Sequence, residues 1–418
     1  MKSMITLALT LFISLSTFAK AQTQPATCDC AKDLLFISEK LEKTPSYKKQ
    51  ITGQKQTDYQ STLERLLSES TEPISIRDCF LKLQELSNNI KDKHISIGQV
   101  NEVFNSENYE DQTAIQAFRE TEPFKNHPTT EKNITEITAQ LTGMPFKDVE
   151  GIYTYANNKT IGVYKTGDTT YEGIVLSAND SLWNPGQILL SISAIGDDMY
   201  DIVYYGYASR KLYMSKGQLH RPGNLFALHK LAIGLDYSKA SVDMDNWYFE
   251  QMSENIQYIR MATFSNSSKN KKAFQAFFEK TKDNLAAENI IIDLRSNGGG
   301  NKKYSDPFIK YLKKSKAQIY VITNIGTGSN SEQFTVKLKN QVNATQVGER
   351  TNGTIAYGRN YGNSYTTPSG IYSILPTDMN FHNRYFEYEY VGVQPEIQLD
   401  NNSDWLEQLK AIIGSKNL

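Results

Sequence analysis

The chain has 418 residues, with 45 Lys and Arg against 46 Asp and Glu, a formal charge of −1. Mixed signs near neutrality exclude the one-sided basic surface of a nucleic-acid or anionic-membrane binder. With 25 Tyr and 18 Phe the chain has ample core material, which excludes intrinsic disorder.

Met1-Lys-Ser-Met leads into an apolar run, Ile5 to Phe18, that ends at Ala19-Lys-Ala21. A charged start, a short apolar stretch and a small-x-small site predict a signal peptide, residues 1–21, cut after Ala21. The expected location is therefore secreted or periplasmic, with no integral membrane segment after cleavage. Cys28 or Cys30 is placed to pair with Cys79 in an exported protein, leaving one thiol over.

Residues 22–135 form an N-terminal helical region: Leu34, Leu35, Ile37 and Leu41 recur at helical spacing, as do Ile76, Cys79, Phe80, Leu83, Leu86 and Ile90. Asp92-Lys-His94 then leads into a short alternating segment at Ile95-Ser-Ile97. Glu102 to Thr135 reads as loop with a helix near Ala114–Phe118. Residues 136–235 are β-rich. From Val149 to Lys216 short alternating segments are separated by Asn, Gly and Asp turns, which predicts a small antiparallel barrel or sandwich. Residues 236–418 alternate strands and helices, an α/β pattern with several parallel strands. There a strand is expected at Tyr258-Ile-Arg-Met, a helix from Phe274 to Leu285, and a capped helix after Ser403 carrying Trp405, Leu406 and Leu409.

Two strand ends in this last region carry the chemistry. Ile290-Ile-Ile runs into Asp293-Leu-Arg-Ser-Asn-Gly-Gly-Gly300, and Ile319-Tyr-Val-Ile322 into Gly328-Ser-Asn-Ser-Glu332. A glycine turn bares backbone N–H groups, and a serine at a helix N-terminus adds the helix dipole and its unsatisfied amides. Together they predict a nucleophile beside an oxyanion hole.

These motifs, with Val347-Gly-Glu-Arg-Thr351-x-Gly353 and Gly392-Val-Gln-Pro-Glu396, occur in the order of one serine peptidase family. The chain resembles the tail-specific (carboxyl-terminal-processing) peptidases, the tricorn core protease and the interphotoreceptor retinoid-binding proteins over about residues 250–400 and at Asp92-Lys-His94. The resemblance implies a crotonase-like α/β core of ββα units. It makes Ser329, three residues before Glu332, the nucleophile in preference to Ser331. It places the oxyanion donors on the backbone of Asn330 and of a glycine in Gly298–Gly299.

The tail-specific members use a lysine base at the position held here by Thr354, which cannot accept a proton at neutral pH. Lys337 and Lys339 are expected on the solvated face of the serine helix. The tricorn-like members use a histidine in an Asp-x-His setting, so the resemblance makes His94 the general base and Glu389, three residues before Gly392-Val-Gln-Pro, its orienting acid. Tricorn relays that acid through a serine where this chain has Lys93. Glu389 would then touch His94 directly, or a hydroxyl such as Ser96 would relay, with Glu387 in reserve. No family-type peptide-binding module is found before the core. No cofactor is implied, and no His or Cys cluster offers a metal site. The expected function is an exported serine peptidase acting on extended peptide. A non-catalytic ligand- or peptide-binding protein on the same fold is the alternative.

Overall fold

The computed structural model describes residues 26–155, 159–230, 236–240, 244–381, 383–401 and 403–416, so the expected signal segment lies outside the described residues. Three helices, Cys30–Glu42, Gln54–Ser68 and Ile76–Asn88, form the N-terminal layer. Leu34, Ile37 and Leu41 point inward against Leu63, Leu66, Phe80 and Leu83. Leu35 does not join them: one residue on from Leu34 it has turned by about 100°, and it is 53% exposed. A disulfide joins Cys30, at the start of the first helix, to Cys79 in the third. Cys28 is the remaining thiol, buried, with Sγ 3.6 Å from the Tyr372 hydroxyl.

The stretch from Glu102 to Thr135 holds helices at Gln112–Arg119 and Glu122–Lys125. The β-rich region is a closed antiparallel barrel, not a sandwich. Six strands, Gly151–Tyr155, Lys159–Lys165, Thr170–Ser177, Ile188–Gly196, Met199–Tyr205 and Leu212–Arg221, pair with their neighbours in sequence. Two short strands past the alternating stretch that ends at Lys216, Asn224–Leu225 and Leu228–Lys230, close the ring onto Gly151–Tyr155. The strand Ser96–Gln99, just after His94, lies between barrel strand Leu212–Arg221 and Tyr372–Leu375 of the C-terminal region. That pairing carries an N-terminal histidine to the far end of the chain.

The α/β core is a six-stranded sheet in the order Trp247–Ser253, Ile256–Met261, Asn289–Asp293, Gln318–Thr323, Thr345–Gly348 and Ile397–Gln398. Its first pair is antiparallel and the rest are parallel. Every residue of Ile256–Met261 and Asn289–Asp293 is buried, as central parallel strands covered on both faces should be. Helices Ser268–Thr281, Asp306–Ser315 and Asn330–Val342 contribute to the core on one face, and Trp405, Leu409 and Ile413 of the last helix to the other. The first of these helices begins six residues earlier than its apolar spacing suggests, because Ser267 accepts the Asn270 N–H and caps it there.

At the end of Asn289–Asp293, Asp293 is fully buried and bound by Nε and Nη2 of the Arg295 guanidinium and by the Tyr258 hydroxyl at 2.8 Å. Burial alone would raise its carboxyl pKa, but Arg295 holds it below the usual value. This ion pair anchors the strand end from which the glycine turn departs. Among the described residues no helix is long and apolar enough to cross a membrane. The disulfide closes a sequence separation of 49, so Cys79→Ala is expected to lower unfolding free energy by about 2–4 kcal/mol. Denaturant titration with and without reductant checks this; equal midpoints in the two would contradict it.

Candidate active site

The parallel strand Gln318–Thr323 ends in a turn that delivers Ser329 to the N-cap of helix Asn330–Val342. Ser329 has φ +54° and ψ −121°, a conformation that costs a non-glycine residue about 1–3 kcal/mol. Glu332 holds it there. The Glu332 carboxylate accepts the Ser329 N–H at 2.8 Å, the Thr351 hydroxyl at 2.6 Å, and the Gly353 and Thr354 N–H groups at 2.7 and 2.9 Å. It is 0% exposed. Burial raises its pKa, and the four donors act in the opposite sense. Ser331 is also buried, and its hydroxyl donates to the Asn297 and Gly328 carbonyls. Thr354 turns its hydroxyl to Asn352. Lys337 and Lys339 pair with Asp306 and Glu396 along the helix, so neither is engaged at the serine turn.

The glycine turn packs directly on the serine turn. A Cβ built on Gly299, whose φ is +90°, would lie 2.6 Å from the Gly328 oxygen and 2.7 Å from the Asn330 nitrogen. Only glycine lets the two backbones meet this closely. Asn297 organises the contact: its carbonyl accepts the Gly328 N–H at 2.9 Å, and its Oδ1 accepts the Gly299 N–H at 2.9 Å. Gly299 therefore serves as the contact point, and its amide is already engaged. Among the described residues the Gly298 and Asn330 N–H groups take no protein acceptor. Asn297 lies in the motif that ends at Gly300, but its bonding role follows from contacts that the sequence does not display.

His94 Nε2 lies 3.4 Å from Ser329 Oγ, across 235 residues of chain. The nearest organising acid is Asp92. Its Oδ1 accepts the His94 backbone N–H at 3.0 Å, and its Oδ2 accepts the Thr377 hydroxyl at 2.7 Å. Asp92 is fully buried. Burial lowers the His94 pKa to about 4; Asp92 pulls it up and Arg359 adds to the fall. The Asp-x-His spacing carried this signal, since an Asp side chain readily accepts the N–H two residues on.

Glu389 reaches the same neighbourhood but not the imidazole. One oxygen accepts the Ile355 and Ala356 N–H groups at 2.9 and 2.7 Å, and the other accepts the Lys93 N–H at 3.4 Å. His94 Nδ1 has no hydrogen-bond partner among the described residues. Neither the direct Glu389 contact nor a Ser96 relay is present, because the backbone amides already occupy the carboxylate. Burial, reinforced by Asp92, raises the Glu389 pKa to about 8. Glu387 is exposed.

With this geometry in view, residues 255–318 and 302–399 match Peptidase family S41. The α/β core is that of an S41 serine-type peptidase. No curated protein matches the chain in sequence. Among solved structures, the photosystem II D1 C-terminal processing protease is 14% identical, with 93% of this chain and 98% of that one covered and a TM-score of 0.40. A putative peptidase from Parabacteroides merdae gives 12%, 93% and 96%, with a TM-score of 0.41. The tricorn protease gives 14%, 93% and 37%, with a TM-score of 0.42.

The peptidase core makes one close contact easy to test. Gly299→Ala is expected to lower activity at least tenfold and stability by about 1–3 kcal/mol, through clash and strain at positive φ. Wild-type turnover and melting temperature in that variant would contradict the close approach.

Proposed function

We propose that the protein is an exported serine peptidase of the tricorn-like kind, with Ser329 as nucleophile and His94 as general base. The observation that carries this reading is the 3.4 Å separation of His94 Nε2 and Ser329 Oγ on a strained helix-start turn. Strained nucleophile turns of this sort expose a hydroxyl above the sheet edge.

In the proposed reaction Ser329 Oγ adds to the peptide carbonyl while His94 Nε2 takes its proton. The carbonyl oxygen gains the negative charge and rests on the Gly298 and Asn330 N–H groups. His94 then returns the proton to the leaving amine, and the acyl–Ser329 ester is hydrolysed by water through the same base. Asp92 stabilises the imidazolium by charge and fixes the backbone of His94. Glu389 supports the histidine indirectly, through the Lys93 N–H and the Ile355–Ala356 turn. The substrate is a peptide or protein segment in extended form.

Export rests on the predicted signal segment, residues 1–21, and on the Cys30–Cys79 disulfide, which suits an oxidising compartment.

Fluorophosphonate labelling tests the assignment. The wild type is expected to label once, Ser329→Ala not at all, and His94→Ala at least a hundredfold more slowly. Equal labelling of Ser329→Ala would move the nucleophile elsewhere, and an unlabelled wild type would favour the binding-protein alternative. The base acts as neutral imidazole, so the rate should fall as pH drops through about 4, the value burial gives His94. A midpoint at the ordinary histidine value of about 6.5 would contradict a buried base.

A further inference from the structure

Lys93 stands where the tricorn pattern has a serine, and its side chain crosses from the histidine segment to two other parts of the molecule. Its Nζ donates to the Gly217 carbonyl on barrel strand Leu212–Arg221 at 2.9 Å and to the Asn352 carbonyl at 2.7 Å. Asn352 is itself bound to the serine turn, through its N–H to Thr327 O at 2.9 Å and its side-chain amide to Ile325 O at 3.0 Å. Among the described residues no carboxylate lies within ion-pair distance of the Lys93 ammonium. Its contacts are two carbonyls on two different domains, with the Tyr390 ring 5.8 Å away.

We infer that Lys93 is a positioning residue that clamps the barrel to the serine turn and so holds the adjacent His94 on Ser329, a role that rests on the catalytic reading of that pair. The clamp needs the ammonium form. A neutral amine, with two N–H donors and a lone pair, loses charge-assisted strength toward both carbonyls. Burial lowers the Lys93 pKa to about 8, with Glu332, Glu389 and Asp201 opposing the fall and Arg350 adding to it. The barrel thus reaches the His94 segment through a titrating side chain, beside the Gly98–Tyr213 strand pairing.

The test compares Lys93→Met, close in size and uncharged, with the full-length wild type. Two readouts are taken: fluorophosphonate labelling of Ser329 from pH 6 to 10, and backbone hydrogen exchange at residues 212–221 and 350–356. The inference predicts faster exchange in both segments of the variant, labelling at least tenfold slower at pH 7, and a wild-type fall in labelling above about pH 8 that the variant lacks. Unfolding does not imitate that fall. With the Lys93 pKa depressed from 10.5, the unfolded chain binds more protons between about 8 and 10.5, so this group favours the fold as pH rises there.

Wild-type labelling and exchange in Lys93→Met would overturn the inference. So would an alkaline limb that persists unchanged in the variant, which would assign it to another group, Glu389 or Lys216, each brought by burial to about 8. If the wild type fails to label at all, the catalytic reading falls, and the exchange readout alone then decides whether the clamp exists.

Discussion

The carboxylate of Glu332 holds the site together. It is buried, and all four of its hydrogen-bond donors come from segments that must meet: the serine turn, the Thr351 hydroxyl and the Gly353–Thr354 backbone. Removing it would leave these donors unpaired in the interior, at about 1–3 kcal/mol for each. The serine's strained backbone, the glycine turn packed on it and the Asn352 contact to Lys93 all depend on that junction. The buried acid acts here as a structural fastener, and its cost is desolvation.

Around this fastener three regions contribute one element each. The sheet brings the two turns side by side through parallel register, Asn289–Asp293 beside Gln318–Thr323. The N-terminal region supplies His94 on a segment whose following strand is paired with both the barrel and Tyr372–Leu375. The barrel supplies the Gly217 carbonyl for Lys93. His94 Nε2 is thereby brought to 3.4 Å from Ser329 Oγ, across 235 residues of chain.

The sequence made the local parts of this design readable. Gly298–Gly300 and the Ser329-x-x-Glu332 spacing are short-range signals with direct backbone causes, and both turns lie at the expected strand ends. The preference for Ser329 over Ser331 rests on the spacing to Glu332, and the two serines differ in their contacts: Ser331 donates to the Asn297 and Gly328 carbonyls, while Ser329 Oγ lies 3.4 Å from His94 Nε2. Long-range pairings were not. Barrel closure depends on strands of two and three residues, Asn224–Leu225 and Leu228–Lys230, too short to leave a periodic pattern. Glu389 was expected at the imidazole, but the Ile355 and Ala356 amides compete for its oxygens, and no spacing rule reports that competition. Lys93 read only as a departure from the tricorn pattern, because its two carbonyl partners are 124 and 259 residues away.

A crystal structure of the full-length protein with a peptide boronic acid tests the central claim most directly, since the boron adopts the tetrahedral geometry of the attacked carbonyl. The account predicts a covalent bond from Ser329 Oγ to boron, one boronate oxygen on the Gly298 and Asn330 amides, and His94 Nε2 within about 3 Å of the adduct. A boronate bound to Ser331 or another residue, or His94 turned away from a modified Ser329, would contradict it.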